Sequence, residues 1–445
     1  MKKGTALLEV ILFALFLTPS PAWPMAKRPD VSQGPNTPAL KSAPFPLKLW
    51  DCYELALERS ETVAIQKEEI KEAEAQFFLA ASEALGDVDF EITDRWQDIQ
   101  KSSGEGSIGS SLSDPARIER KFVIQQPLFQ GFKALGALTG AGSLKREQKE
   151  EWRRAKELLF LDVARAFYGL LREKRDLETI DGILALFRKR LRELRSRERI
   201  GRSRTSEVVT AKSRMKILEA ERSRIRGAHA VAQDLLEFLT GTGVSGRVLE
   251  DEEVEREGVF ELEHYLDLIP ERSDVEAARQ SVKTAWRGVL VEQSRLWPEI
   301  SLEHNQYERR EGFQSNIDWD FLFKVNVPLF RGGESVGKIK EAVSRWKKEK
   351  LNHSLVLREA ELDVKGAYQN WASSLEESDA LDEAVRASEE NFRIQQEEYR
   401  RNLVSNLEVL EALATLHETR REANRAFYEM KINYWGVRVA SGELA

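Results

Sequence analysis

The feature that most constrains this chain is an internal repeat. Residues 126–131 read Gln-Pro-Leu-Phe-Gln-Gly, and residues 327–332, at an offset of 201, read Val-Pro-Leu-Phe-Arg-Gly. The same offset relates Glu207 to Glu408 and Gly241 to Gly442. One register held along this much sequence predicts a single structural unit built twice, so the function must be sought in what a duplicated unit can build.

The composition indicates a chain that stays largely in contact with water. Charged residues make up 32% of its 445 residues, and the mean hydropathy is −0.47. The first segment is the exception, because Lys2 and Lys3 precede an apolar run over residues 7–17. We interpret residues 1–26 as a signal peptide and residues 27–46 as a proline-rich linker. The alternative of a retained anchor helix is disfavoured because a span needs about 20 apolar residues.

Charge and cysteine content exclude several classes of protein. The net charge is −7, so no overall basic field favours a nucleic-acid partner. The single cysteine, Cys52, allows no internal disulfide. Between residues 188 and 226 basic residues outnumber acidic ones about three to one. For any single residue of that stretch, a solvated helix face remains the simplest interpretation.

Four segments alternate between apolar and polar residues, which is typical of half-buried strands. They lie at about 87–97, 117–127, 299–308 and 317–327. In the last, Phe321, Phe323 and Val325 alternate with polar residues, and Leu322 breaks the polar face. The lengths suit tilted membrane strands of about 9–11 residues. A Ser/Gly-rich loop over Ser102–Ser113 separates the first two segments.

The remaining sequence predicts long helices that reverse at short turns. Leucines recur at intervals of seven in a proline-free stretch that begins at about Lys145, and this spacing favours helices packed side by side. The turns are predicted near Gly201 and Asn402. Each unit therefore reads as helix, β-hairpin, long helix, turn and returning helix. The two units span residues 47–241 and 261–445, with a linker over 242–260.

Four amphipathic strands cannot close a membrane barrel alone, because an open edge in lipid leaves backbone groups unpaired. Two copies of the chain would supply eight strands with an interior filled by side chains, and three copies would supply twelve strands around a pore. Two hairpins packed into a small soluble sandwich remain an alternative at this stage.

The chain resembles the TolC-like outer-membrane efflux proteins. The resemblance runs from about Leu47 to Gly442 and rests on the Pro-Leu-Phe-x-Gly end of each hairpin and on the doubled turn-plus-helix pattern. Residues 295–300, Arg-Leu-Trp-Pro-Glu-Ile, also look like the family. Two departures are that residues 85–87 lack the usual proline and that Asn402 stands where the second turn usually has glycine.

The resemblance implies a mainly α fold with a membrane β-barrel contribution. Three copies would form a twelve-stranded barrel in outer-membrane lipid and a periplasmic α-helical tunnel. Such a homotrimer is the exit duct of a tripartite efflux or type I secretion system. A periplasmic adaptor would connect it to an inner-membrane pump of RND or ABC type. A periplasmic coiled-coil scaffold without channel activity is the alternative from another class.

The candidate functional residues lie at the two turns and just beyond the second. Glu408 and Glu411 share one helix face, which alone indicates only a solvated pair. The resemblance places them as periplasmic gate acids that face the lumen, in rings of three carboxylates. The turns are expected to contact the adaptor. Their residues are Gly201, Arg202, Ser203, Thr205, Ser206, Asn402, Leu403, Ser405 and Asn406.

The remaining motifs predict structure and not chemistry. Pro127, Gly131, Pro328 and Gly332 are expected to form strand-to-helix bends. The sequence after Gly332 resembles a phosphate-binding loop, but Ile339 replaces the Ser/Thr that would hold magnesium. The histidines show no metal-ligand spacing. We therefore expect no enzyme activity, no cofactor and no metal.

Overall fold

The structure is a computed structural model that describes residues 46–96, 116–252, 260–311 and 314–444. The predicted signal peptide, almost all of the proline-rich linker and the Ser102–Ser113 loop lie outside these ranges, as does part of the linker between the units. The elements, in chain order, are α1 (Leu49–Arg59), α2 (Glu61–Leu85), β1 (Asp87–Trp96), β2 (Ala116–Gln130), α3 (Lys133–Arg199), α4 (Thr205–Thr240), α5 (Leu262–Leu268), α6 (Ser273–Gln293), β3 (Glu299–Arg310), β4 (Trp319–Asn326), α7 (Glu334–Arg400) and α8 (Asn406–Ser441).

The element order is doubled. The series α2, β1, β2, α3, α4 recurs as α6, β3, β4, α7, α8. The long helices α3 and α7 have 67 residues each, and the returning helices α4 and α8 have 36 residues each. At a rise of 1.5 Å per residue, a long helix extends about 100 Å. No helix in the described ranges has both the length and the hydropathy needed to cross a bilayer.

Helix α3 begins at Lys133, twelve residues before the start that the sequence predicts, and the reason is glycine-mediated packing. A Cβ atom at Gly136 would lie 3.0 Å from Cγ2 of Val291 on α6, and one at Gly140 would lie 3.3 Å from Cβ of Arg287. Glycine weakens an isolated helix, but here it lets α6 approach closely, and this contact maintains the first turns of α3.

The strands form one antiparallel sheet with the order β1-β2-β3-β4. Phe90 pairs with Phe122, and Leu302 pairs with Phe323. Strand β2 continues to Gln130, past the predicted end at residue 127, because a register shift between Pro127 and Phe129 accommodates the proline. Pairing then resumes, so the hairpin ends in a bulged stretch next to the helices.

The helices pack in two successive rows that share α3 and α7. Next to the sheet the neighbours are α2, α3, α6 and α7, and towards the turns they are α4, α3, α8 and α7. Buried apolar side chains fill the seams, with Phe160 and Tyr168 in one cluster, Leu184 and Leu410 in a second, and Tyr265 in a third. Within the described residues, α2 and α4 form one flank of this array and α7 forms the other.

Candidate functional site

The two helix-reversing turns have the same backbone hydrogen bonds. In the first, the N–H of Arg202 donates to the carbonyl oxygen of Arg197 over 2.8 Å. In the second, the N–H of Leu403 donates to the carbonyl oxygen of Glu398 over 2.9 Å. Each bond spans the end of a long helix and satisfies a carbonyl that the helix leaves unpaired. The two repeats therefore present turns of the same construction.

Both turns require a residue in the left-handed backbone region. Gly201 has φ 71° and Asn402, at the equivalent place, has φ 62°. Asparagine is one of the few residues with a side chain that enters this region readily. The departure from glycine at position 402 therefore leaves the backbone of the second turn unchanged.

Most of the predicted contact residues are accessible in the single chain. Ser203 is half-buried, and Asn406 is buried at the first position of α8. The Asn406 side-chain oxygen accepts a 2.8 Å hydrogen bond from Nε of Arg190 on α3. Asn406 thus belongs to the packing between the two hairpins. The exposed members are Gly201, Arg202, Thr205, Ser206, Asn402, Leu403 and Ser405.

Arg190 joins the hairpins near their ends, a role that the sequence did not reveal. Its guanidinium lies 3.6 Å from the ring centroid of Tyr399 on α7, and Arg197 lies 4.5 Å from the same ring. Burial lowers the pKa of Arg190 from its ordinary value. A second arginine, Arg214 on α4, donates to the carbonyl oxygen of Leu410 over 3.1 Å. These bonds connect the first hairpin to the second.

The proposed gate acids have different surroundings. Glu408 closes a capping box at the start of α8, in which its carboxylate accepts from the N–H of Ser405. The hydrogen bonds from Ser405 lower the pKa of Glu408. Glu411 is exposed and makes no ion pair in the described part of the chain. Arg400 and Arg401 are also exposed, and neither pairs with these acids there.

The two faces of the sheet differ in chemistry. One face carries exposed apolar side chains, including Phe90, Phe321 and Phe323. The other carries polar groups that bond to one another. On it, Asp320 accepts from the hydroxyl of Tyr307 and the amide of Asn305, each over 2.9 Å. The ion pairs of this face include Lys324–Glu303 at 2.5 Å, Lys121–Glu91 at 3.2 Å, and the pairs of Glu119 with Arg117 and Arg310, each at 3.5 Å.

Curated relatives cover most of the chain at low identity. The alkaline protease secretion protein AprF of Pseudomonas aeruginosa is 20% identical over 417 residues, covering 91% of this chain and 86% of AprF. The cation efflux system protein CusC of Escherichia coli O157:H7 is 20% identical over 410 residues, covering 87% and 84%.

Solved structures share the fold. The crystal structure of the outer membrane protein VceC of Vibrio cholerae superposes with a TM-score of 0.78 at 19% identity, covering 88% of this chain and 96% of VceC. A structure of CusC superposes with the same TM-score at 17% identity, covering 88% and 92%.

The second repeat matches a family model. Residues 266–443, which include β3, β4, α7 and α8, match the model described as outer membrane efflux protein. The chain is therefore similar over these residues to the outer membrane efflux proteins, as its sequence predicts. It is an outer-membrane channel protein of the kind that serves efflux and secretion systems.

A buried polar cluster between three helices of the chain was not predicted. The Asn424 amide on α8 donates to Asp176 on α3 over 3.0 Å, and Nε of Arg421 lies 3.6 Å from the same carboxylate. Arg421 also pairs with Glu221 on α4, to which Nε2 of His417 lies at 3.2 Å. Burial raises the pKa of Asp176. The cluster links α3, α4 and α8. It could not be predicted because its members lie far apart in the sequence.

The strand-to-helix bends differ between the repeats. Gly131 has φ 60°, and a Cβ atom there would lie 2.6 Å from Cβ of Trp297, so this bend needs glycine. Gly332 has φ 58° and open space around it. Pro127 lies within β2, whereas Pro328 follows the end of β4.

The phosphate-loop resemblance ends in ordinary helix contacts. Lys338 pairs with Glu341 at 3.0 Å, one turn further along α7. The lysine that a phosphate would need is therefore paired within its own helix.

Across the ranges that the structure describes, no group of three His, Cys, Asp or Glu side chains is arranged to hold a metal ion.

Proposed function

We propose that the chain forms a homotrimeric, passive exit duct in the outer membrane. The observation that carries this proposal is the sheet, with one exposed apolar face, one bonded polar face and, among the described residues, two unpaired edges at β1 and β4. Such a sheet is stable in lipid only when neighbours pair with both edges. Three copies would supply twelve strands around a pore, with the apolar face against lipid and the polar face lining the lumen.

The two flanks of the helical array support assembly of copies related by rotation into a closed ring. The α2/α4 flank and the α7 flank are different surfaces of one chain, so contact between copies would be head-to-tail and would close into a ring. The α7 flank exposes Leu351, Leu355 and Leu362, which share one face of the helix. The α4 side exposes Val231 and Phe238. Burial of these apolar groups would stabilise the ring.

We propose further that the two turns contact a periplasmic adaptor, which connects the duct to an inner-membrane pump of RND or ABC type. Both turns lie at the ends of helices that begin at the sheet, so they point away from the membrane portion. Leu403 is an exposed apolar group at the tip of the second turn, where a partner helix would bury it. The name of AprF speaks of secretion and that of CusC of cation efflux.

In the trimer, Glu408 and Glu411 would form rings of three carboxylates near the periplasmic opening. Such rings attract cations and set the selectivity of a narrow mouth. The basic excess over residues 188–226 has no counterpart over the equivalent residues 389–427, where acidic residues outnumber basic ones. The two kinds of hairpin would therefore alternate in charge around the mouth.

Membrane fractionation and conductance test the duct. The purified protein should run as a trimer, fractionate with outer membranes after a high-salt wash, and conduct ions in planar bilayers. Extraction by salt without conductance would instead support the periplasmic scaffold. For the adaptor contact, cysteine at Ser203 or Ser405 should crosslink to the adaptor, whereas cysteine at Ser102, between β1 and β2 in the sequence, should not.

A further inference from the structure

An unassigned cleft of about 510 Å³ opens between α3, α6 and α7, away from the turns and the gate acids. Trp286 and Trp346 form one wall, with ring centroids 5.0 Å apart and planes inclined by 52°. Trp286 is 40% exposed, which is unusual for a side chain of this size. The exposed face of the Trp286 indole and the half-buried Trp346 beside it give the cleft an apolar aromatic wall that is partly open to solvent.

Cationic side chains without partners line the same cleft. Arg146, Lys283 and Arg287 make no ion pair within the described residues, although other basic groups on these helices do, such as Lys145 with Glu74 at 2.8 Å. Gly142 has no atom within 4 Å of where its Cβ would lie, so the floor of the cleft is open. Three free cations beside an exposed aromatic wall form a surface suited to a flat, negatively charged ligand.

Acidic groups lie next to the cleft. Glu147 follows Arg146 directly on α3 and is half-buried near Ser281 and Thr284. The Ser281 hydroxyl on α6 donates to Glu349 on α7 over 3.4 Å. Neither carboxylate forms an ion pair with Arg146, Lys283 or Arg287 in the described residues. They leave the three cations of the cleft unpaired, so the cleft itself remains positively charged.

The cleft opens on the side of the apolar sheet face. Leu135, Thr139, Gly142 and Arg146 follow each other at intervals of four and three and thus share one face of α3, whose capping residue is Phe132.

The capping residue relates the start of α3 to the sheet. Phe132 packs against Phe129 and Trp297 at ring distances of 5.4 and 6.2 Å. Phe129 pairs with Ile300, and Ile300 pairs with Val325 of the apolar face. The start of α3 therefore adjoins the apolar side of the sheet, and we place the cleft on this side, the exterior of the proposed duct.

Its depth places the cleft below the lipid. Gly142 follows Phe132 by ten residues, so it lies about 15 Å further along α3. The headgroup region adds only about 5–7 Å to each side of the hydrocarbon core. If the aromatic cluster at Phe132 marks the membrane interface, the cleft is beyond the headgroups and faces the periplasm.

We propose that this cleft binds an acidic sugar polymer of the periplasm and so attaches the duct to the cell wall. Sugar rings would lie against the indoles of Trp286 and Trp346, and carboxylates would pair with Arg146, Lys283 and Arg287. A lipid phosphate is disfavoured by the distance of the cleft from the headgroups. The inference rests on the proposed orientation of the duct in the membrane.

Co-sedimentation of the purified trimer with isolated cell-wall sacculi tests this site. The wild type should co-sediment, and Gly142→Leu, which fills the cleft, and the pair Arg146→Gln/Lys283→Gln should each weaken binding by roughly tenfold. The matched control is Lys189→Gln/Arg192→Gln, which removes two exposed charges from α3 far from the cleft and should bind as the wild type.

Several outcomes would overturn the proposal. The first is failure of the wild type to co-sediment, and the second is equal binding of all variants to sacculi. The third is that the cleft variants still bind sacculi but no longer bind anionic phospholipid vesicles or the adaptor. Conductance separates this inference from the duct. If Gly142→Leu still conducts but no longer binds sacculi, both proposals hold. A wild type that binds sacculi but never conducts would refute the duct alone.

Discussion

At the scale of single residues, the capping role of Glu408 determines how its charge can be tested. Its carboxylate accepts from the N–H of Ser405, so alanine there would remove a cap as well as a charge. Glutamine at the third helical position can still accept a hydrogen bond from the backbone N–H of the capping residue. A neutral variant that keeps the cap is therefore available.

We expect Glu408→Gln/Glu411→Gln to weaken block by multivalent cations without lowering the melting temperature of the trimer. The reason is that rings of carboxylates bind such cations and neither side chain packs in the core. Single-channel recording in planar bilayers measures the block. Glu207→Gln, at the third position of α4, is the matched control, and block that is equal in all three proteins would refute the gate assignment.

The buried carboxyl of Glu147 should make stability depend on pH. Burial raises its pKa from an ordinary 4.5 to about 7; the carboxylates of Glu151 and Glu349 add to this rise, and Ser281 and Thr284 oppose it. The folded chain then holds this proton more tightly than the unfolded chain. The stability that the protonated carboxyl contributes is complete below its ordinary pKa and is lost as the pH rises through about 7.

We therefore expect Glu147→Gln to raise the melting temperature at pH 8 more than at pH 5. Scans of melting temperature between these values measure the difference. The exposed Glu263→Gln is the control and should run parallel to the wild type. A Glu147→Gln curve parallel to the wild type would show that this carboxyl does not titrate in the range.

Residue-level function was only partly accessible from the sequence. Asn402 could be assigned to a left-handed position because its type and its place in the repeat both indicate it. Asn406 looked equally suited to contact a partner, yet it is buried against Arg190. The two lie 216 residues apart in sequence, and nothing local in the sequence shows that they meet.

At the scale of elements, glycine has opposite effects in a turn and in a helix. Gly201 has φ 71°, whereas Gly227 lies in the exposed interior of α4 with open space around it. We expect Gly201→Ala to destabilise by about 1 kcal/mol, because a side chain disfavours the left-handed region. Gly227→Ala should stabilise by about 0.5–1 kcal/mol. Opposite shifts in melting temperature test this, and shifts of the same sign would contradict it.

The two faces of β4 predict opposite responses to charge. Phe323 is exposed on the apolar face, and arginine there would cost about 2–4 kcal/mol near the middle of a bilayer. Lys324 pairs with Glu303 on the polar face, so glutamine, and not an acidic residue, is its clean replacement.

Phe323→Arg should impair trimer assembly in outer membranes, and Lys324→Gln should leave it nearly unchanged. The measure is the yield of trimer in purified outer membranes. Equal assembly of the two variants would mean that the apolar face does not meet lipid.

The elements themselves were largely readable from sequence periodicity. Alternation marks the strands, because side chains of a strand point to opposite faces. The start of α3 was not readable, since a glycine-rich segment is helical here only through its contact with α6. Tertiary packing overrode local propensity at that point.

At the scale of the whole molecule, the α7 flank should determine assembly. Leu351 and Leu362 are 73% and 70% exposed in the single chain, which is costly for a helix that remains unpaired. We expect Leu355→Glu/Leu362→Glu to shift the purified protein from trimer to monomer. Size-exclusion chromatography with light scattering measures the change. Asn352→Glu, also exposed on α7, is the control, and a double variant that stays trimeric would place the contact elsewhere.

The equal lengths of the helices restrict which insertions and deletions the chain can accept. Because α3 and α7 each have 67 residues, both turns lie at the same distance from the sheet. A seven-residue deletion from one hairpin alone would draw its turn back by about 10 Å. A shorter or longer duct is therefore reached only by matched changes in all four long and returning helices, which couples the two halves of the chain in their allowed insertions and deletions.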